Sequence, residues 1–155
     1  MLLTFLFSWI LVSKDSTPPI TGKKPLDFLH NKSEFTWFDK GFESYTPKKE
    51  TVEALKKVNW KDVKVKVFGG TWCEDTQNLL PKFIKMCKAS AIPESSIELY
   101  YLDRKKQSPE GDEKPYNIER IPTFIILING IEKGRVVESV SQSIEEDVLK
   151  IIQAK

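Results

Sequence analysis

A β-type run, Val63, Val65 and Val67 alternating with Lys64 and Lys66, ends at Phe68 and meets Gly69-Gly70. At Cys73 a helical run begins, with Leu80, Phe83, Ile84 and Cys87 repeating at helical spacing. The stretch Trp72-Cys73-Glu74-Asp75-Thr76 sits on that handover. No other feature limits the fold as tightly. A strand that passes straight into an amphipathic helix builds an α/β layer, and here the junction carries a thiol. The start of a helix holds about half a positive charge and several unpaired N–H groups, so it favours a thiolate.

The remaining pattern extends this unit. Thr46-Pro47 reads as the N-cap and first residue of a helix reaching about residue 58, with Val52, Leu55 and Val58 as its apolar stripe. The helix from Cys73 runs to about residue 89, and Pro81 inside it is expected to kink it. Residues 97–102 form a second strand that ends in Asp103, and 104–117 form a loop with at most a short helix. The continuously apolar 123–128 is a third strand, expected to be central. Asn129-Gly130 turns it into 133–138. Ser143 and Glu146 make a capping box for a last helix that buries Ile144, Val148, Ile151 and Ile152. The order predicts an α/β fold with a central mixed β-sheet flanked by helices.

With 155 residues, 40% of them hydrophobic, the chain suffices for one domain with a true core. Its net charge of +2 carries no footprint of nucleic acid. The lysines of 48–66 alternate with Glu50, Glu53 and Asp62, as on a solvated face. Two cysteines are too few for a disulfide framework, and on one helix Cys73 and Cys87 would stand about 21 Å apart, three times the bridging limit. Cys87 is read as a small core residue. His30 is the sole histidine, without clustered ligands, so neither a metal nor a cofactor is expected.

Three parts are expected. Residues 1–17 form an apolar N-terminal segment, 18–45 a linker and aromatic-rich extension, and 46–155 the α/β domain. Residues 1–12 are apolar apart from Thr4 and Ser8, too short to span a bilayer and of the length of a secretory signal core. That reading predicts export. Against it, no Lys or Arg precedes the run, and Leu11 stands two residues before the best cleavage point, Ser13. A short buried strand is the alternative. Residues 13–24 read as linker. Phe28, Phe35, Trp37, Phe38, Phe42 and Tyr45 follow neither helical nor strand spacing. They suit an extension folded over the core, or else a peptide-binding surface.

From about residue 46 onward the chain resembles the thioredoxin superfamily. The resemblance rests on the strand into Phe68, Trp72-Cys73, Pro81 eight residues after the cysteine, Tyr116-Asn117-Ile118, Ile121-Pro122-Thr123-Phe124 and Asn129-Gly130. The wording of 68–76 is similar to a bacterial thioredoxin-like branch. The resemblance implies a cis Pro122 facing the cysteine, and substrate contacts from Ile121, Pro122 and the neighbouring Trp72.

Two departures stand out. Thr76 occupies the place of the second thiol of Cys-x-x-Cys, and Val67 that of a buried carboxylate. A hydroxyl cannot form a disulfide, and a buried acid with no thiol to deprotonate would only cost stability. The expectation is therefore monothiol thiol–disulfide exchange. Cys73 is the nucleophile and Thr76 donates its O–H to the thiolate. Glu74 and Asp75 oppose the thiolate weakly from the same helical turn. The partners are a protein or small-molecule disulfide and an external resolving thiol. The alternative is a non-catalytic peptide-binding module with a vestigial thiol.

Overall fold

The structure, a computed structural model, describes residues 19–154, so the apolar run at 1–12 lies outside the described residues. The strands are β1 (Gly22–Lys24), β2 (Val63–Gly69), β3 (Ile97–Tyr101), β4 (Thr123–Ile128) and β5 (Ile131–Val137). They form one mixed sheet in the order β1-β3-β2-β4-β5. β2 and β3 are parallel, and the pairs β1–β3, β2–β4 and β4–β5 are antiparallel. Helices α1 (Thr36–Ser44), α2 (Lys49–Lys56), α3 (Glu74–Ala89) and α4 (Ile144–Gln153) flank the sheet. The topology is thioredoxin-like, with α3 supplying the crossover between the parallel β2 and β3. Among the described residues, no helix is long and apolar enough to cross a membrane.

Alternation along each strand decides which layer it feeds. Val63, Val65 and Val67 join the buried faces of all four helices in one core, with Phe83 of α3 against Phe124 of β4 at 5.0 Å between ring centroids. Each such side chain contributes about 1.5–3 kcal/mol through burial. The opposite face of the sheet has its own, smaller cluster: Phe68, Tyr100, Leu102, Ile121, Ile125 and Leu127. Trp72, Cys73, Tyr116 and Ile118 pack against that second cluster. The thiol thus belongs to the side of the sheet away from the helical core. Cys87 is buried among the helices, and burial pushes its thiol up.

Several boundaries move for identifiable reasons. The helix expected from Thr46-Pro47 starts at Lys49, with Lys48 extended at its N-cap. The backbone N–H of Lys48 donates to Oε1 of Glu145 (3.0 Å), while Tyr45 Oη donates to Oε2 (2.6 Å). This buried carboxylate of α4 holds 45–48 extended and does the work assigned to Thr46. The expected linker gives way at Gly22, because Gly22–Lys24 pairs with Leu99–Tyr101 along the edge of β3. The aromatic extension does have helical spacing. Phe38 and Phe42 stack one turn apart on α1 at 6.3 Å, a repeat masked in the sequence by their aromatic neighbours. β4 lies inside the sheet between β2 and β5, but the centre belongs to β2. The hairpin turns through Asn129 and Gly130, both at positive φ, and β5 begins at Ile131 directly after it. Ser143 caps α4 by accepting the N–H of Glu146 (3.3 Å).

One charged cluster bridges three strands. Glu98 of β3 pairs with Lys23 of β1 (2.8 Å) and with Lys66 of β2. Partial burial acts to raise the Glu98 pKa, but the two ammonium groups outweigh it and hold the carboxyl at about 2, against an ordinary 4.5. A depressed folded-state pKa stabilises above the unfolded value and loses that contribution as pH falls through the folded one. The resistance of the wild type to urea should therefore fall as pH drops from 4.5 to 2. Glu98→Gln should be the less stable protein at pH 7, and the difference should shrink steadily across that acid window.

Candidate active site

The register of the sheet builds the site. Antiparallel pairing of β2 with β4 sets Val67 opposite Phe124 and Phe68 opposite Thr123. Continuing that register carries Gly69 toward Pro122 and Gly70 toward Ile121. On the other side Gly69 pairs with Tyr101, and the N–H of Leu102 donates to the Gly69 carbonyl (2.8 Å). The chain beyond Gly69 is thus held from both flanks before α3 begins. The N–H of Cys73 donates to the Gly70 carbonyl (3.0 Å), and Gln77 Nε2 donates to the Thr71 carbonyl (2.8 Å), which closes the turn.

Cys73 is the N-cap residue of α3, with extended backbone, and is half-buried. Its carbonyl accepts the N–H of Gln77 (3.0 Å), but its side chain accepts no bond from the helix start. Instead the thiol donates to the Ile121 carbonyl at 3.4 Å. The Ile121–Pro122 peptide is cis, and both residues are buried. Cys73, Ile121 and Pro122 therefore stand together. Trp72 joins them. Its indole Nε1 donates to the Leu102 carbonyl (3.0 Å), and the Arg104 guanidinium lies over its ring, 5.3 Å from the centroid. Glu74 and Asp75 are exposed in the first turn of α3, where acidic side chains complement the helix start.

Thr76 stands differently from its expected role. It is fully buried, and its Oγ1 accepts the N–H of Gly70 (3.2 Å). The hydrogen bond to the Cys73 sulfur expected from sequence is not among those of the described residues. Thr76 braces the turn beneath the thiol, its methyl group 2.9 Å from where a Cβ at Gly69 would stand. Val67 lies in the helix-side core. Both Val67 and Thr76 are therefore held by packing.

The two glycines at the end of β2 are required for space. A Cβ on Gly70 would lie 2.8 Å from Trp72 Nε1 and 3.0 Å from Ile121 Cδ1. Gly70, Gln77 and Arg104 are the residues sequence reasoning missed here. The available signals were a Gly-Gly pair shortly before the Trp-Cys stretch and a base three residues past the end of a parallel strand, where α/β folds gather their sites.

No protein-family model and no curated protein matches the chain. Among solved structures it is similar to PA1234, a protein of unknown function from Pseudomonas aeruginosa. The TM-score is 0.62 at 19% identity, over 85% of this chain and 92% of that one. It is also similar to an HIV epitope-scaffold, with a TM-score of 0.60 at 20% identity, over 85% of this chain and 93% of that one. Mitochondrial thioredoxin 3 from Saccharomyces cerevisiae, in its oxidized form, overlaps at a TM-score of 0.37 and 22% identity, covering 63% of this chain and 86% of that one. That overlap is too loose to carry an argument. At these identities the likeness is one of fold alone.

Gly70→Ala tests the packing at the junction. Overpacking of this kind costs about 1–3 kcal/mol. Urea unfolding should show a loss in that range, and the Trp72 indole N–H resonance should shift as its bond to Leu102 is disturbed.

Proposed function

We propose that this protein is a monothiol member of the thioredoxin superfamily, of the bacterial branch indicated by residues 68–76, that carries out thiol–disulfide exchange at Cys73. The observation that carries the reading is a half-buried Cys73 at the N-cap of α3 with its thiol 3.4 Å from the Ile121 carbonyl. As a thiol it donates to that carbonyl. Once deprotonated it can accept from the N–H groups of the first turn, which no side chain caps. Losing the thiol proton also frees the Ile121 carbonyl for a substrate backbone N–H. Trp72, Ile121 and Pro122 form the surface on which the substrate lies.

The exchange balances as follows. The Cys73 thiolate attacks one sulfur of a disulfide, a new S–S bond joins Cys73 to that sulfur, and the other sulfur leaves as a thiolate that takes a proton from water. An external thiolate then attacks the mixed disulfide and joins the substrate sulfur, and Cys73 leaves as the thiolate. Thr76 takes no part in the electron flow, because a hydroxyl is no substitute for a resolving thiol. Its role is to position the turn. The substrate is a protein or small-molecule disulfide, and the apolar run at 1–12 supports an exported setting, which N-terminal sequencing of the mature chain would test.

Turnover decides between exchange and a binding module. Reduction of a small mixed disulfide with excess thiol should run at least tenfold faster with wild type than with Cys73→Ser. Equal rates would leave a peptide-binding module with an idle thiol.

A further inference from the structure

Thr71 and Trp72, just before the thiol-bearing Cys73, help line a cavity of about 680 Å³. That is well within the size range of small-ligand and peptide side-chain sites. Thr71 and Trp72 of the turn form one wall, Arg104 and Lys105 after β3 a second, and Lys32 and Phe35 of the N-terminal extension a third. The N-terminal extension therefore completes a pocket whose lining reaches Trp72, the residue before Cys73.

The charges on this pocket are unevenly satisfied. Three cationic residues are in its lining: Lys32, Arg104 and Lys105. Arg104 sits over the Trp72 ring and Lys32 over the Phe28 ring, 3.5 Å from its centroid. Among the described residues, no carboxylate forms an ion pair with any of the three. Two acids also line the cavity, Glu34 and Asp103. Asp103 is turned to its own loop, its Oδ1 accepting the N–H groups of Lys105 (2.8 Å) and Gln107 (2.9 Å). Glu34 accepts from Ser33 Oγ (3.3 Å). The exposed acids nearest the thiol in sequence, Glu74 and Asp75, belong to the helix start, and neither lines the cavity. An anion-seeking pocket thus adjoins an acidic helix mouth.

Building on the exchange reading, we infer that this cavity selects the substrate: a peptide disulfide that carries a carboxylate side chain next to its cysteine. With the substrate sulfur at Cys73, the chain passes Trp72 and its carboxylate enters among Arg104, Lys105 and Lys32. The Arg104 guanidinium is exposed and rests over the Trp72 ring, and its planar fork is suited to a bidentate carboxylate. The Trp72 ring gives the backbone beside it an apolar floor.

The probes are two blocked tripeptide disulfides, one with Glu on both sides of the cysteine and one with Gln. Exchange rates with Cys73 are normalised to those with free cysteine, which removes the intrinsic reactivity of each peptide. At low salt the wild type should favour the Glu peptide on the order of tenfold. Arg104→Gln with Lys105→Gln should bring the ratio to about one. A wild-type ratio at or below one, or a ratio unaffected by the double substitution, overturns the inference. Equilibrium binding of the same peptides to Cys73→Ser protein separates the two claims. Tighter binding of the Glu peptide, lost in the double variant, sustains the pocket even where wild-type exchange fails. Equal binding of both peptides overturns the pocket whatever the rates.

Discussion

The antiparallel register between β2 and β4 governs everything at the site. It sets Phe68 against Thr123, so Gly70 and Ile121, two residues past that last pair, must approach each other. With no side chain at Gly70, Ile121 Cδ1 and the Trp72 indole both close over its backbone. The Ile121 carbonyl then stands where the thiol at the start of α3 can reach it. A one-residue slip in this pairing would turn Val63, Val65 and Val67 out of the helical core, so the hydrophobic energy of the whole domain protects the geometry of one sulfur.

The central elements were legible because their signals are local. Period-two valines gave β2, the repeat through Cys87 gave α3, Asn129-Gly130 gave the β4–β5 turn, and Ser143 with Glu146 gave the start of α4. What stayed hidden depends on partners distant in sequence. Nothing near Thr46 announces that Glu145, about a hundred residues on, takes the Lys48 N–H and postpones α2. Gly22–Lys24 is a strand only because β3 offers it an open edge. Adjacent aromatics blurred the one-turn repeat of Phe38 and Phe42.

At the site itself, residue types told more than roles did. Cys73, Trp72, Ile121 and Pro122 come together in space, as the resemblance led one to expect. Thr76 does not face the sulfur as a donor; it fills the space under Gly69 and takes the Gly70 N–H. From sequence, a threonine one turn after a cysteine reads equally as a donor or a plug, and burial separates the two. Val67 and Thr76 are both buried and uncharged, so packing and one backbone hydrogen bond satisfy them.

The central claim is that the fold makes one sulfur available and reactive. The most direct measurement is the rate of mixed-disulfide formation at Cys73 after a single addition of a small neutral disulfide, followed by intact mass. Native protein and urea-unfolded chain are compared at the same pH. The account predicts one adduct on the native protein, at Cys73, formed faster than on the same cysteine in the unfolded chain, with Cys87 reacting only after unfolding. A native Cys73 that reacts no faster than its unfolded counterpart would contradict it.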